Sequence, residues 1–326
     1  MTETAQAGVA ALAALVLGTL SLWLFMRRKR NQSATDIGIS SIYIVIVSAV
    51  AVVVAAFNND LHRILLVTIL AAAAISLTAL ARSLELVPRG IPLVVLAAGS
   101  VAVVVADAVF PATGIPAIDM PFTVLAIFGF TIACREIESA PGVLAPVAVV
   151  MLGGITVIGF GRGDHHLQTL TAAAVGCAIA ATWWTRMNGP GSLGPGVALF
   201  IGFTLLTSIA ALRGPFWVAA FPIASGLLVI PIADTATVFE SRRKLGQPIF
   251  AGRKDHLSDR LLARGASPIL TVSLLVLAAL IGAVSSNLTA YKIIPWYVGL
   301  CVAWATKIAI VAWALKNPVP NPDRTT

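Results

Sequence analysis

Side chains that could do chemistry are concentrated in a polar stretch, residues 237–267, and at the end of the apolar run before it. The stretch carries seven Lys and Arg residues, and Asp234 lies just ahead of it. His256 and Arg260 are four positions apart, so they share one face if their segment is helical. This composition indicates a phosphate or diphosphate site with four candidate binding residues: Arg253, Lys254, His256 and Arg260. A solvated basic loop attracted to anionic lipid would contain the same residues.

Three ionisable residues in or near apolar runs have both a functional and a structural interpretation. Asp234 could orient a substrate or a basic residue, or it could be a helix-end acid paired with a nearby Arg or Lys. Lys307 lies deep inside an apolar run, where a cation is expected to have a partner, although snorkelling to the interface would also satisfy it. Asp107 lies near the end of another apolar run and is more easily solvated.

The composition requires lipid as the solvent for most of the chain. Of the 326 residues, 58% are apolar and 11% are charged, and the mean hydropathy is +0.94. Roughly a quarter of a typical soluble domain is charged, and no globular core could bury this much apolar surface. These values exclude a soluble enzyme, a disordered chain and a secreted disulfide scaffold. The net charge of +8 is typical of cytoplasmic loops in a multi-pass membrane protein, so no nucleic-acid partner is expected.

Apolar runs of roughly 20 residues predict an all-α integral membrane protein with about eleven transmembrane helices. The predicted spans are 8–26, 39–57, 64–81, 91–110, 119–134, 142–160, 167–184, 194–212, 215–236, 268–288 and 295–315. With the N-terminus outside, the inside segments contain 17 Lys and Arg residues and the outside loops contain four, which predicts a cytoplasmic C-terminus. We therefore predict one polytopic domain in the plasma membrane, residues 1–316, with a long cytoplasmic loop over 237–267 and a disordered tail over 317–326.

Two segments of the polar region resemble a known signature. The first begins at Pro231 and reads Pro-Ile-Ala-Asp-Thr-Ala-Thr-Val, and the second begins at Asp255 and reads Asp-His-Leu-Ser-Asp-Arg-Leu. They are similar to the ninth helix and following loop of the polyprenyl-phosphate N-acetylhexosamine-1-phosphate transferases, of the glycosyltransferase family 4 type. The predicted spans and external N-terminus also look like that family. The resemblance implies transfer of a phosphosugar from a UDP-N-acetylhexosamine to a membrane polyprenyl phosphate, with release of UMP and a Mg²⁺ ion held by protein carboxylates.

This chain departs from the family where the family has its metal-binding carboxylates. The Asp-Asp pair at the end of the third helix is missing, and Arg82 occupies one of the two positions. In the motif before the sixth helix both asparagines are lost, one aspartate is Glu138 and the other is Pro141. In the motif before the eighth helix a glycine replaces the aspartate. Gly191 and Ser192 match family residues that line the nucleotide site, although they could equally belong to a simple connector.

The departures predict a catalytically degenerate paralogue. Glu138 alone cannot hold a Mg²⁺ ion, and Arg82 and Arg135 place positive charge where the cation would be. We therefore expect no metal site and no cofactor, with Mg²⁺ needed only if the chain is active, and a role in binding or regulating lipid-carrier metabolism. The expected partners are membrane lipid, in particular polyprenyl phosphate, and a second copy or an active paralogue in a dimer, since relatives form homodimers.

Two other functions stay open. An active transferase with displaced acids would use three candidate catalytic residues: Asp234, His256 and Glu138. A lipid or small-molecule transporter is the second alternative, indicated by Lys307 and Asp107 within apolar runs. Little polar lining is visible along the predicted helices, which makes the transporter the weaker of the two.

Overall fold

The part of the chain described by the computed structural model, residues 63–83, 85–187, 193–212, 217–248 and 255–317, is helical and contains no strand. Its helices are α1 (Arg63–Ser83), α2 (Ile91–Val105), α3 (Pro116–Glu136), α4 (Leu144–Arg162), α5 (His165–Met187), α6 (Gly194–Ala211), α7 (Trp217–Leu227), α8 (Val229–Lys244), α9 (Leu257–Ala263), α10 (Pro268–Ala290) and α11 (Trp296–Lys316). A 3₁₀ turn, Ile137–Ser139, extends α3.

Six helices in the described residues are long and apolar enough to cross a membrane: α1, α3 with its 3₁₀ turn, α4, α6, α10 and α11. The pair α7 and α8 adds a seventh if it counts as one bent span. The chain is a multi-pass membrane protein. Each predicted span from 64–81 onward coincides with a helix or a helix pair. The predicted spans 8–26 and 39–57 lie outside the described residues, so the count of eleven and the orientation stay predictions.

Several helices of the structure differ in length from the predicted spans, and two of these differences have a local cause. The span predicted over 91–110 is helical only to Val105, because Asp107 adopts a φ of 81° and cannot continue the helix. The span predicted over 119–134 is longer in the structure. Its helix begins at Pro116, a residue suited to the first helical position, and continues into the 3₁₀ turn.

The predicted ninth span, 215–236, is two helices rather than one. α7 and α8 meet at Leu228 with a bend of 70°. Pro222 lies inside α7 and removes one helical hydrogen bond, which weakens the helix ahead of the break. α8 then continues to Lys244, so the segment 237–267 begins as the end of α8 and contains α9 near its end. Its cytoplasmic location stays a prediction.

α6 lies at the centre of the bundle. Apart from Pro195 and Ala211, all of its residues are buried, and α1 and α3 pack against it. Apolar side chains on the outer helices are exposed instead, as Leu125 on α3 and Ile308 on α11 show, which is expected of a surface that faces lipid. The end of the bundle where α1, α3 and α8 finish and α6 begins is the site end, because it carries the polar residues of interest.

α7 and α10 cross closely because glycine is present on both helices at the contact. A methyl group on Gly282 would overlap the carbonyl oxygen of Gly226, and one on Gly226 would overlap Ser286 Oγ. Ser286 Oγ donates to Ile223 O at 2.9 Å across the same crossing. Small residues let membrane helices approach until their backbones are in contact, so this crossing fixes α7 ahead of the break.

We expect Gly282→Ala to destabilise the protein by about 1–3 kcal/mol, because the new methyl group overpacks the crossing. Thermal unfolding in detergent measures the loss. Gly129→Ala is the matched control, because a methyl group there meets no atom within 4 Å and alanine favours a helix. Equal melting temperatures for the two variants would contradict the close crossing.

Candidate functional site

His256 joins α8 to the end of α3 through two carboxylates. Asp234 is buried on α8, and its Oδ2 lies 2.7 Å from His256 Nδ1. Its Oδ1 accepts a hydrogen bond of 2.7 Å from Leu257 N at the start of α9. On the other side of the ring, His256 Nε2 is 3.8 Å from Glu136 Oε2. The imidazole therefore lies between a buried carboxylate and a half-exposed one.

The surroundings of His256 favour its protonated form. Burial lowers the pKa of the imidazole, but the hydrogen bond and the charge of Asp234 raise it, and the carboxylates of Glu136 and Asp259 add to the increase. The net pKa lies above the ordinary value of about 6.5. Below its raised pKa, His256 is a cation held against Asp234.

A second buried ion pair involves the residue before His256. Arg242 Nε and Nη2 donate to the two carboxylate oxygens of Asp255 at 3.1 and 2.8 Å, and the side chains are 7% and 3% exposed. Arg260 Nε donates to Asp255 O at 2.9 Å, and its Nη1 donates to Ala314 O at 2.8 Å. These contacts fix the start of α9 to the ends of α8 and α11.

Glu138 binds backbone groups of two chain segments. Its carboxylate accepts hydrogen bonds from Gly142 N at 3.3 Å, Leu144 N at 3.0 Å and Leu193 N at 3.0 Å. Two of these donors lie at the start of α4 and the third lies just before α6. Backbone N–H groups at a helix start have no partner within the helix, so a carboxylate there is stabilising. Glu138 therefore positions the starts of α4 and α6.

The arginine cavity lies among the ends of α1 and α3 and the starts of α2 and α6, and its volume is about 540 Å³. Three arginines line the cavity, Arg82, Arg89 and Arg135, together with one acid, Glu85. The rest of the wall is largely apolar and includes Leu93, Leu96, Ile132 and Leu199. The cavity thus combines a cationic side with an apolar side.

Three carboxylates of the site end, those of Asp234, Asp255 and Glu138, do not fit the Mg²⁺ ion that the family resemblance implies. In the part of the chain that the structure describes, no three His, Cys, Asp or Glu side chains are placed to hold a metal ion. Asp234, Asp255 and Glu138 each have protein partners on both carboxylate oxygens. A Mg²⁺ ion needs carboxylate oxygens that are free to enter a near-octahedral shell.

The structure brings together only some of the predicted site residues. Asp234 and His256 are in contact, but Glu138 is occupied by backbone donors. Arg260 is 1% exposed and its guanidinium group binds carbonyl oxygens, so it does not form a phosphate site with His256 in this structure. The other four predicted phosphate-binding residues lie outside the described residues and stay predictions: Arg253, Lys254, Gly191 and Ser192.

Lys307 has a partner inside the bundle. Its Nζ donates to the carbonyl and hydroxyl oxygens of Ser225 in the last turn of α7, and it lies 4.3 Å from the ring centroid of Trp304. The side chain also borders an apolar cavity of about 350 Å³. A cation complements the unpaired carbonyl groups at a helix C-terminus. Lys307 therefore stabilises the break between α7 and α8.

Three residues of the site end are not among the predicted site residues, although Asp255 opens the second signature segment: Glu136, Arg242 and Asp255. Arg242 and Asp255 are opposite charges near the two ends of one polar segment in a chain with few acids, and that signal could have suggested their pairing. Glu136 is 120 positions from His256, and no spacing rule connects them. Its contact depends on how α3 and α8 pack.

We expect Asp234→Asn to lower the melting temperature more at acid than at alkaline pH. The folded protein raises the pKa of His256, so the ion pair stabilises the fold fully below about pH 6.5 and loses that effect as the pH rises through the raised pKa. The test compares wild type and variant at about pH 6 and about pH 9. An equal loss of melting temperature at both pH values would contradict the ion pair. It would assign the whole loss to the hydrogen bond that Leu257 N donates to Asp234.

Arg242→Met should destabilise the protein by about 3–5 kcal/mol, because it leaves Asp255 buried without a counter-ion. The double variant Arg242→Met/Asp255→Leu should regain most of the loss, since it removes both charges. Denaturation in detergent measures both. Arg243→Met is the matched control, because that side chain is 74% exposed. A double variant no more stable than Arg242→Met would contradict the pairing.

Comparison with known proteins supports a membrane glycosyltransferase or phosphosugar transferase family. No family model matches the chain. A Bacillus subtilis protein described as an undecaprenyl-phosphate N-acetylglucosaminyl 1-phosphate transferase is 28% identical over 169 residues, which cover 51% of this chain and 47% of that protein. A Streptomyces coelicolor protein described as a glycosyltransferase is 33% identical over 140 residues, which cover 41% of this chain and 33% of that protein. The chain spans less than half the length of these curated relatives, and it is similar to them over that part.

Proposed function

We propose that this chain is a plasma-membrane protein of the phosphosugar transferase type that binds the polyprenyl-phosphate carrier without transferring a phosphosugar through a metal centre. Its role is to bind or regulate the lipid carrier of cell-envelope glycan synthesis. The observation that carries the proposal is the state of the acids at the site end. Asp234, Asp255 and Glu138 each have both carboxylate oxygens engaged by protein partners.

Metal binding at these acids would compete with the fold. A ligand role for Asp255 would take its charge away from the buried Arg242. A ligand role for Glu138 would leave backbone N–H groups of α4 and of the segment before α6 without an acceptor, at about 1–3 kcal/mol for each buried group. Arg82 and Arg135, which line a cavity at the same end of the bundle, add positive charge that opposes the binding of a cation there.

The relatives support the choice of lipid. The Bacillus subtilis relative is described by its action on undecaprenyl phosphate, and the resemblance of the polar region leads to the same class of carrier. A dimer with a second copy or with an active relative is the proposed protein assembly. In such a dimer a copy that binds the carrier without consuming it would regulate how much carrier its partner receives.

The position of His256 favours a second candidate, a transferase that uses displaced acids. Its Nε2 is 3.8 Å from Glu136 Oε2, and the Glu136 side chain is 45% exposed, so a substrate could reach this side of the ring. A histidine with a raised pKa beside a carboxylate is a typical general acid–base arrangement. In this candidate His256 would move the proton, and Asp234 would orient the imidazole.

We expect purified protein to release UMP from UDP-N-acetylglucosamine at least about a thousandfold more slowly than an active relative, because metal-dependent phosphoryl transfer draws several kcal/mol from the ion. The assay contains polyprenyl phosphate and Mg²⁺, with the relative measured in parallel. Binding of polyprenyl phosphate is measured on the same sample and should be detectable.

Two further variants separate the candidates. Turnover that needs Mg²⁺ and disappears in His256→Asn and Glu136→Gln would overturn the proposal in favour of the displaced-acid enzyme. Glu240→Gln serves as the control, because this acid pairs with Arg243 and Lys244 on the surface of α8. The absence of both turnover and carrier binding would reject the proposed function altogether.

A further inference from the structure

Three arginines from different helix ends converge on the arginine cavity. Arg82 is in the last turn of α1, Arg89 lies in the turn before α2, and Arg135 is in the last turn of α3. They come from positions up to 53 residues apart, and only the packing of these helices brings them to one cavity. The site is therefore built by tertiary structure rather than by a run of basic sequence.

The positive charge of this cavity is not balanced by the described residues. Neither Arg82 nor Arg89 forms an ion pair within the part of the chain that the structure describes, and Arg135 Nε is 3.9 Å from Glu136 Oε1. Glu85 is the carboxylate of the wall, so three positive charges face one negative charge. Like charges in a concave site repel one another unless an anion enters.

Ordinary causes explain each arginine singly but not their convergence. A basic residue in the last turn of a helix complements the helix dipole, which accounts for Arg82 and Arg135. The positive-inside rule accounts for basic residues at this end of the bundle in general. Neither rule requires guanidinium groups to share one cavity of about 540 Å³ with an apolar wall. That volume lies in the range of about 300–1,000 Å³ that is usual for small-molecule sites.

The chemistry of the wall selects an anionic amphiphile. Guanidinium groups bind phosphate oxygens through paired, charge-assisted hydrogen bonds. Four large apolar side chains, Leu93, Leu96, Ile132 and Leu199, stand beside them and suit the first carbons of a lipid chain. A soluble anion would leave this apolar surface unused, so the wall favours a lipid.

We infer that the arginine cavity binds the phosphate monoester of a membrane lipid directly, through Arg82, Arg89 and Arg135, without a divalent cation. That the lipid is a polyprenyl phosphate rests on the proposed function. Here the arginines supply the positive charge that a metal ion would otherwise bring to the phosphate. A nucleotide also ends in phosphate, and the experiment distinguishes this soluble source from the lipid.

The test measures the affinity of the full chain in nanodiscs for farnesyl phosphate in the presence of EDTA. Arg82→Gln, Arg89→Gln and Arg135→Gln should each weaken binding about tenfold or more, because each removes a charge-assisted contact. Arg264→Gln is the matched control, since it removes an exposed charge at the end of α9, and it should change affinity less than about twofold. Farnesol, which lacks the phosphate, should not bind detectably.

A substitution of Glu85 should change the affinity in the opposite direction. Its φ is 60°, a left-handed conformation that glycine adopts readily, so Glu85→Gly preserves the turn while it removes the acid from the wall. Affinity for farnesyl phosphate should therefore increase about threefold or more. Unchanged or weaker binding in this variant would contradict an electrostatic role for the cavity.

The remaining outcomes separate the inference from the proposed function. Wild-type binding that all three arginine variants retain overturns the inference and leaves the proposed function standing, whereas no wild-type binding overturns both. Tighter binding of UDP than of farnesyl phosphate, lost in the same variants, assigns the cavity to a soluble phosphate and overturns the lipid source. If an arginine variant does not fold, the wild-type protein is labelled with a photoreactive farnesyl phosphate instead. We expect the labelled residues to include Leu93, Ile132 or Leu199. Labelling confined to other helices would overturn the inference.

Discussion

A charged side chain buried in a helix bundle must find its partner in the protein, because neither lipid nor a dry interior supplies one. The site end meets this constraint with two ion pairs in succession. Asp234 holds His256, and Arg242 holds Asp255. Because His256 and Asp255 are adjacent in the chain, both pairs act on the same turn and hold the start of α9 against α8. Arg260 extends the contact to the last turn of α11. The position of α9, and with it the shape of the site end, depends on these buried charges.

The same constraint separates two kinds of charge at this end of the bundle. The carboxylates of Asp234, Asp255 and Glu138 are engaged by protein partners and contribute to the fold. Arg82 and Arg89 line a cavity and form no ion pair among the described residues. A metal-dependent phosphosugar transferase needs the opposite distribution, with free acids that hold a cation against the phosphates. The proposed binding of an anionic lipid rests on this distribution, in which three acids have protein partners and the arginines line a cavity.

Hydropathy predicts the helices of this chain because a bilayer requires apolar runs of nearly constant length. The predicted spans from 64–81 onward all coincide with helices, whereas the break at Leu228 and the early end of α2 at Val105 were not predicted. The break at Leu228 and the end of α2 both lie within predominantly apolar runs, so the mean hydropathy along the sequence does not indicate them. They depend on the backbone: Pro222 weakens α7 ahead of the break, and the positive φ of Asp107 ends α2.

The sequence by itself determined the solvent of the protein and its helical class, because both follow from composition and from the length of the apolar runs. It also identified Asp234 and His256 as candidate site residues, since both lie in segments that resemble a known family signature. Only the tertiary structure decided which charges meet. Glu136 reaches His256 and the arginines reach one cavity through the packing of helices that are distant in the chain. The physical reason is that an ion pair depends on a few ångströms of distance and on burial, and neither quantity can be read from spacing along the sequence.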